Sequence, residues 1–486
     1  MEKINLVLIN PDYMLYSNPP LGLAYLAAYL KKNCDFVDIT ILDQIDEKGI
    51  LNQLKKINPD LIGLNAVSLN FLKVKELAAK IKEQNKGLLV LGGIHLTNSP
   101  SSFDNSPFDL GIIGEGEKTF SLFLGNFYKN EKKLDAKSLK KIKGLLIRDN
   151  NKVLNTGLPD LIENLDEIPL PARELLNMKY YMLPSLLSGG DDFNSMGSML
   201  TSRGCPYNCP FCSSTTFWKK RIRFFSAQRV MEDILVLYNK YHYNKIFVYD
   251  DLFSINKPRL RQIIELMEKE GILGKIEFNV YGRADIFDDE TAKLLKKMNV
   301  SRVIFGFESG SQKMLDYLKC KRVKIEDNIR AINICKENGL SPGGFFMIGS
   351  PNETEEDIKQ THDFIKEYCP NAIVYQTIPF PGTQIWDYAV KNKIIEKDFY
   401  DHKQKDWIDI DVNFLLTNKI SKEKFAEWFY KIRGIYVPSA RNGFFKKLSK
   451  IQMRNISGFL SPMFIKKAIV LKDPFIKRVF VKKNNQ

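Results

Sequence analysis

Strand-length apolar runs separated by amphipathic stretches constrain this chain more than any other feature. Five runs, Ile4 to Ile9, Val37 to Leu42, Leu61 to Ala66, Leu88 to Leu91 and Leu110 to Ile113, occupy the first part of the sequence. Between them, Leu23 to Leu30 and Lys73 to Lys82 carry apolar residues at the helical spacings of three and four. This alternation predicts an α/β fold, a parallel sheet wrapped by helices. A second series runs from Ser198 to about Lys393, with strands expected at Met199 to Ser202, Lys245 to Tyr249, Lys275 to Val280, Arg302 to Phe307, Gly343 to Ile348 and Ala372 to Thr377. Six strands make a partial, open β/α barrel, whose chemistry belongs at the carboxyl ends of its strands.

Between the two series the pattern loosens around Ile168-Pro169-Leu170-Pro171 and Gly189-Gly190, as a connecting segment crossing the face of the next domain would. The expected divisions are a first domain over residues 1–135, a linker over 136–197, a barrel over 198–395 and an extension over 396–486. No short-period repeat or low-complexity tract interrupts them.

The 486 residues are 44% hydrophobic with 72 Lys plus Arg against 57 Asp plus Glu, which excludes a disordered or fibrous chain. The formal charge of +15 is concentrated at one end. From Lys431 to Gln486, fourteen basic residues stand against Asp473 alone, so this tail carries +13 and the other 430 residues only +2. No nucleic-acid partner is expected from such a distribution, since no recognised RNA module accompanies it. In the tail, Phe444, Phe445, Leu448 and Ile451 fall at helical spacing beside Lys446, Lys447, Lys450 and Arg454, a pattern suited to lying on an anionic membrane or to a solvated cap. Ile4 to Ile9 is too short for a signal peptide, and no long apolar run could span a bilayer, so a cytoplasmic location is expected, peripheral to the membrane if the tail docks there.

Seven cysteines are present, and three of them, Cys205, Cys209 and Cys212, fall within eight residues just after the first strand of the second series. Three thiolates on one loop can wrap a cubane iron-sulfur cluster and leave one iron open for a small molecule. A structural zinc would need a fourth ligand, and no Cys or His lies close by in sequence. Cys320, Cys335 and Cys369 are too widely spaced for a second cluster and read as buried thiols.

The C-x3-C-x2-C spacing with Phe211 before the last cysteine resembles the signature of radical S-adenosylmethionine (SAM) enzymes. The resemblance implies that Cys205, Cys209 and Cys212 hold a 4Fe-4S cluster whose open iron binds SAM, with Phe211 beside it. It further implies that an external electron donor such as flavodoxin or ferredoxin drives SAM cleavage to a deoxyadenosyl radical. Asp250 and Asp251, at the end of the second barrel strand, resemble the polar pair that receives the SAM ammonium. Arg283 resembles the family's arginine at the third strand end, and Glu308 with Ser309 the pair near the ribose hydroxyls. Gly344, in Gly343-Gly344-Phe345-Phe346-Met347-Ile348-Gly349, is expected to let the backbone pass close under the adenine.

The first domain resembles the Rossmann-like cobalamin-binding domain fused to many of these enzymes. The resemblance rests on Asn10-Pro11, Pro19-Pro20-Leu21-Gly22, Gly92-Gly93-Ile94-His95 and Gly114-Glu115-Gly116-Glu117. It implies that Asn10, Gly92, Gly93, His95, Gly114 and Glu115 contact cobalamin. The Asp-x-His-x-x-Gly motif that supplies a cobalt ligand is missing, so the lower face is expected to meet the loop from Ala66 to Phe71, with Ser68 and Asn70. His95 is expected to be a hydrogen-bonding group of the pocket. The implied architecture is a cobalamin domain, a partial (β/α)6 radical SAM barrel and a basic extension. The implied activity is radical methylation of an unactivated carbon through methylcobalamin, on a small-molecule or lipid-linked substrate. Radical cyclisation or rearrangement is the alternative. Transfer-RNA methylthiotransferases share the barrel, but they hold a second cluster on N-terminal cysteines, and this domain offers only Cys34.

Overall fold

The computed structural model describes residues 2–11, 18–43, 46–149, 152–181, 196–403 and 414–434. The basic tail beyond residue 434 and most of the Gly189-Gly190 stretch lie outside the described residues. The first sheet contains β1 (Ile4–Asn10), β2 (Val37–Asp43), β3 (Leu61–Asn65), β4 (Leu88–Gly92), β5 (Leu110–Ile112), β6 (Leu145–Asp149) and β7 (Lys152–Asn155). Their spatial order is β2-β1-β3-β4-β5-β6-β7. The first five are parallel, as expected from the apolar runs. Because β2 and β3 flank β1 on opposite sides, the chain switches direction at β1/β3, which opens a crevice at the carboxyl ends of those strands.

The expected linker departs from its reading at its start. Leu145–Asp149 and Lys152–Asn155 pair antiparallel and extend the first sheet past β5. The apolar run Leu145-Leu146-Ile147 is fully buried there. Further on, the segment does run to the second domain. The Ala172 N–H donates to Ala24 in the helix Leu21–Asn33, and Arg173 reaches Asp233 at 2.5 Å and the Ser198 carbonyl at 2.9 Å.

The second domain begins with β8 (Gly197–Met199). The chain then leaves the sheet, so Met199 to Ser202 is not one strand. β9 (Ser202–Gly204) pairs instead with β10 (Ile222–Phe224) in a separate antiparallel ribbon around the cysteine loop. Five further parallel strands follow, β11 (Lys245–Val248), β12 (Glu277–Gly282), β13 (Val300–Glu308), β14 (Ser341–Ile348) and β15 (Ile373–Gln376). The order β15-β14-β13-β12-β11-β8 runs from edge to edge, an open half-barrel.

Outward side chains of these strands, such as Ile246, Val248, Phe278, Val280, Val303 and Phe305, are buried against the helices. Each contributes roughly 1.5–3 kcal/mol by leaving water. The same apolar cluster continues through Tyr25 and Phe225, whose rings stack at 6.0 Å, into the first domain. The two sheets therefore belong to one compact unit with a shared core. Residues 422–434, in the C-terminal extension, are helical and bury Phe425 against Gly349 at the end of β14. Among the described residues no helix is long and apolar enough to cross a membrane.

Candidate cofactor site

The cysteine loop springs from Gly204, whose φ of +94° and contacts leave no space for a side chain: a Cβ would sit 2.1 Å from the Arg221 carbonyl. Asp250, at the end of β11, anchors the start of this ribbon. It accepts from the Thr201 N–H at 2.5 Å, from the Thr201 hydroxyl and from Ser202 at 2.7 Å, and Arg259 lies 3.8 Å away. Cys205, Cys209 and Cys212 are all half-buried, and the Cys212 N–H closes the loop onto the Cys209 carbonyl at 3.1 Å. Burial, with Asp251 nearby, pushes the Cys205 thiol up to about 11 and the Cys212 thiol up to about 12. A metal replaces those protons, because its charge reverses the effect of burial.

Among the described residues no three His, Cys, Asp or Glu side chains converge as ligands of a single ion. That is the arrangement a structural zinc requires. A cubane takes its thiolates at separate iron corners, so three cysteines on one loop fit a 4Fe-4S cluster with one open iron. The remaining thiols divide: Cys335 and Cys369 are buried, as expected, but Cys320 is exposed and donates to the Asn208 carbonyl at 3.0 Å.

The residues expected to hold SAM separate into two groups. Asp251, Arg283, Glu308 and Phe211 surround the cysteine loop. Asp251 accepts from Ser214 at 2.6 Å and lines the main cavity. Arg283 pairs with Asp285 at 2.7 Å, lies over the Tyr207 ring at 3.6 Å and brings Nη1 to 3.8 Å from the Cys209 sulfur. Glu308 accepts from the buried Lys319 at 2.7 Å, and Lys319 Nζ is 6.0 Å from the centre of Phe211. Gly306 makes this pair possible, since a Cβ there would lie 2.3 Å from the Glu308 Oε1.

Asp250, Ser309 and Gly344 are turned away, contrary to expectation. Asp250 is consumed by its bonds to the ribbon. Ser309 bonds Thr361 at 3.0 Å and accepts from the Ser311 N–H. Gly344 faces the helix layer, where a Cβ would meet Phe307, Phe346 and Cys369, so the inward glycine of β14 is Gly343.

On the first domain, the crevice at the switch point opens into a cavity of about 430 Å³. Asn65, Val67, Gly92, Gly93, Gly114 and Glu115 line it from the first domain, and Arg203, Gly204, Trp218, Tyr249 and Asp251 from the second. Gly93 is required by its φ of +109° and by the backbone of Ala66, 2.4 Å from where a Cβ would stand. The glycine-lined mouth leaves backbone accessible to a large ligand, which fits the tail of a corrinoid.

Asn10, Ser68, Asn70 and His95 do not line the cavity. Asn10 donates to Asp43 at 3.0 Å, and Asn70 caps the Val67 N–H at 3.0 Å. His95 is enclosed: Ser68 lies 3.0 Å from Nδ1, Ser102 3.2 Å from Nε2, and Phe71 stacks on the ring at 4.1 Å. Burial lowers its pKa to about 3, so it stays neutral in the fold. An unfolded histidine gains its proton near pH 6.5, so the fold loses stability as pH falls through that value. Between pH 7.5 and 5.5 the loss is expected to be about 1 kcal/mol, read from urea unfolding, and His95→Gln should remove that component.

Sequence reasoning missed the group that joins the two domains, because its members are far apart in the chain. Arg203 donates to Glu115 at 2.8 Å and to Glu117 at 2.6 Å, while Arg223 donates to Glu115 at 2.7 Å. All four are buried, and Trp218 lies 5.9 Å from Arg203 and 5.3 Å from Arg223. Arg203 is two residues before Cys205, so the network ties the cysteine loop to the wall of the cavity. The sequence signal was the Gly114-Glu115-Gly116-Glu117 motif, whose carboxylates turn out to meet Arg203 and Arg223.

Comparison with known proteins matches this division. Residues 13–124 match the B12 binding domain family and residues 199–365 the radical SAM superfamily. An uncharacterized methyltransferase of Pyrococcus horikoshii is 34% identical over 390 residues, covering 78% of this chain and 80% of the relative. The anaerobic magnesium-protoporphyrin IX monomethyl ester cyclase of Cereibacter sphaeroides is 26% identical, covering 80% of this chain and 66% of its own length. The structure of the radical SAM methyltransferase TsrM from Kitasatospora setae, with cobalamin and a 4Fe-4S cluster bound, shares the fold with a TM-score of 0.68 at 18% identity, covering 81% of this chain and 78% of that one. With a cysteine loop suited to a cluster facing a glycine-lined cavity suited to a corrinoid, the chain belongs to the radical SAM enzymes that carry an N-terminal B12-binding domain.

Proposed function

We propose that the protein transfers a methyl group from SAM to a carbon atom of a small-molecule substrate. The observation that carries this reading is the cavity itself, lined by Gly92 and Gly93 of one domain and by Asp251 and Arg203 of the other, so that groups bound to each domain would meet in one shared space. Bound there, cobalamin supplies a methyl carrier and the cluster supplies the electron that turns SAM into a radical source. The protein holds and orients these groups. Arg283 and Lys319 place positive charge beside the cysteine loop. Asp251 offers a carboxylate in the cavity for the SAM ammonium, a charge-assisted contact. Tyr249, Trp218 and the apolar wall of Leu23, Leu26 and Leu200 limit water around them.

The test uses anaerobically reconstituted full-length protein with SAM and a strong reductant. Methyl transfer predicts 5'-deoxyadenosine together with S-adenosylhomocysteine, the latter only when cobalamin is bound. Deoxyadenosine without S-adenosylhomocysteine would contradict it and favour the second reading, radical cyclisation, which the similarity to the Cereibacter cyclase supports.

A further inference from the structure

The inner face of the half-barrel is lined differently from the cavity just described. Phe247 stacks on Tyr249 at 4.5 Å, Tyr281 lies 5.1 Å from Phe247, Phe345 lies 6.0 Å from Tyr281, and Tyr375 lies 5.9 Å from Phe345. These rings form one continuous aromatic wall from β11 to β15. Ile304, Phe345 and Met347 remain partly exposed on it, whereas their outward neighbours Val303, Phe346 and Ile348 are buried. The wall keeps apolar surface in contact with solvent inside the fold, which marks a place where an apolar ligand gains by binding.

Arg302 lies at the amino-terminal end of this face. It projects toward the inward-facing Gly343, where a Cβ would come 3.0 Å from its Nε and 3.2 Å from the Ile304 side chain. Other cations near these strands have a carboxylate: Lys245 on β11 has Glu277 at 2.9 Å, Arg283 just after β12 has Asp285 at 2.7 Å, and Lys319 beside the end of β13 has Glu308 at 2.7 Å. Arg302 makes no hydrogen bond or ion pair among the described residues, and its Nε is buried without a partner. A partly buried guanidinium whose Nε has no partner gains when an anion reaches it, and the planar fork favours a carboxylate or phosphate.

We infer that the half-barrel takes a substrate with an apolar body and an anionic group, the body against the aromatic wall and the anion on Arg302. The inference rests on the reaction proposed above and adds its substrate class. Four residue steps along β13 lead from Arg302 to Gly306, about 13 Å of strand, so the apolar body spans most of the distance from the anion to the cysteine-loop end of the barrel.

Two fluorescent probes test this with cluster-reconstituted full-length protein: 1-pyrenebutyrate, and 1-pyrenebutanol, which keeps the ring system and lacks the charge. The carboxylate probe is expected to bind about tenfold tighter than the alcohol, as one charge-assisted contact gives. Arg302→Gln should erase that gap and leave the alcohol within about twofold, while Arg302→Lys keeps most of it. Phe345→Ala should weaken both probes alike. Circular dichroism and cluster absorbance establish that each variant is folded. Equal affinities in the native protein, or a gap that survives Arg302→Gln, would overturn the inference. Loss of the probe preference with intact deoxyadenosine and S-adenosylhomocysteine formation would reject this site alone. Absence of those products with the preference intact would reject the reaction alone.

Discussion

Cys209→Ala is expected to abolish the cluster and, with it, all cleavage of SAM. The cysteine loop supplies three thiolates for the cluster, so losing one leaves two, too few to hold a cubane. Cys209 is also the sulfur that faces Arg283 at 3.8 Å, which places it at the inner side of the loop. After anaerobic reconstitution the variant should show background iron and sulfide, no charge-transfer absorbance and no deoxyadenosine. Cys320→Ser is the matched control. Its thiol lies against the same loop, donating to the Asn208 carbonyl, but it is exposed and gives up only that one contact. It should retain the cluster, and loss of the cluster in both variants would mean that the loop is held differently.

Glu115→Ala is expected to have the largest effect on stability. The carboxylate accepts from Arg203, from Arg223 and from the Ile162 N–H at 2.8 Å, all buried. Removing it leaves Arg223 with no carboxylate and Arg203 with Glu117 alone at the junction of the domains, at a cost of about 3–5 kcal/mol for breaking a buried pair. The urea midpoint should fall accordingly, and cobalamin retention should fall with it because Glu115 and Arg203 both line the cavity. The pH dependence carries a definite sign. Burial alone would raise the Glu115 pKa, but Arg223 and Arg203 more than offset it and hold the carboxyl below its usual value. Its stabilising contribution is therefore complete above the ordinary glutamate pKa, about 4.3, and is lost as pH falls from there through the lower folded value. In Glu115→Gln that component of acid destabilisation should be missing.

The parallel strands were legible because each is an apolar run bounded by polar turns, and the cysteine triplet because its ligands are adjacent in sequence. What escaped has physical reasons. β6 and β7 are short antiparallel strands, and their alternation is too brief to separate from a loop. Met199 to Ser202 reads as one strand, yet Thr201 and Ser202 are captured by Asp250 and pulled into the ribbon. Asp250 and Asp251 are neighbours, and neighbouring side chains at a strand end point to opposite sides, so composition could not tell which one meets the ligand. The same alternation separates Gly343 from Gly344. His95 follows the Gly92-Gly93 turn, but its enclosure by Ser68 and Phe71 of one segment and Ser102 of another depends on tertiary packing. The Arg203–Glu115 contact joins positions 88 residues apart, which no local pattern announces.

The central claim is that one chain holds a SAM-cleaving cluster and a corrinoid in facing domains. It is tested most directly by reconstituting the full-length protein anaerobically with iron, sulfide and hydroxocobalamin, removing unbound cofactor, and measuring 5'-deoxyadenosine after adding SAM and reductant. The account predicts close to one cobalamin and one 4Fe-4S cluster per chain, with deoxyadenosine formed only in the presence of reductant. A protein that retains neither cobalamin nor the capacity to release deoxyadenosine, while folded, would contradict it.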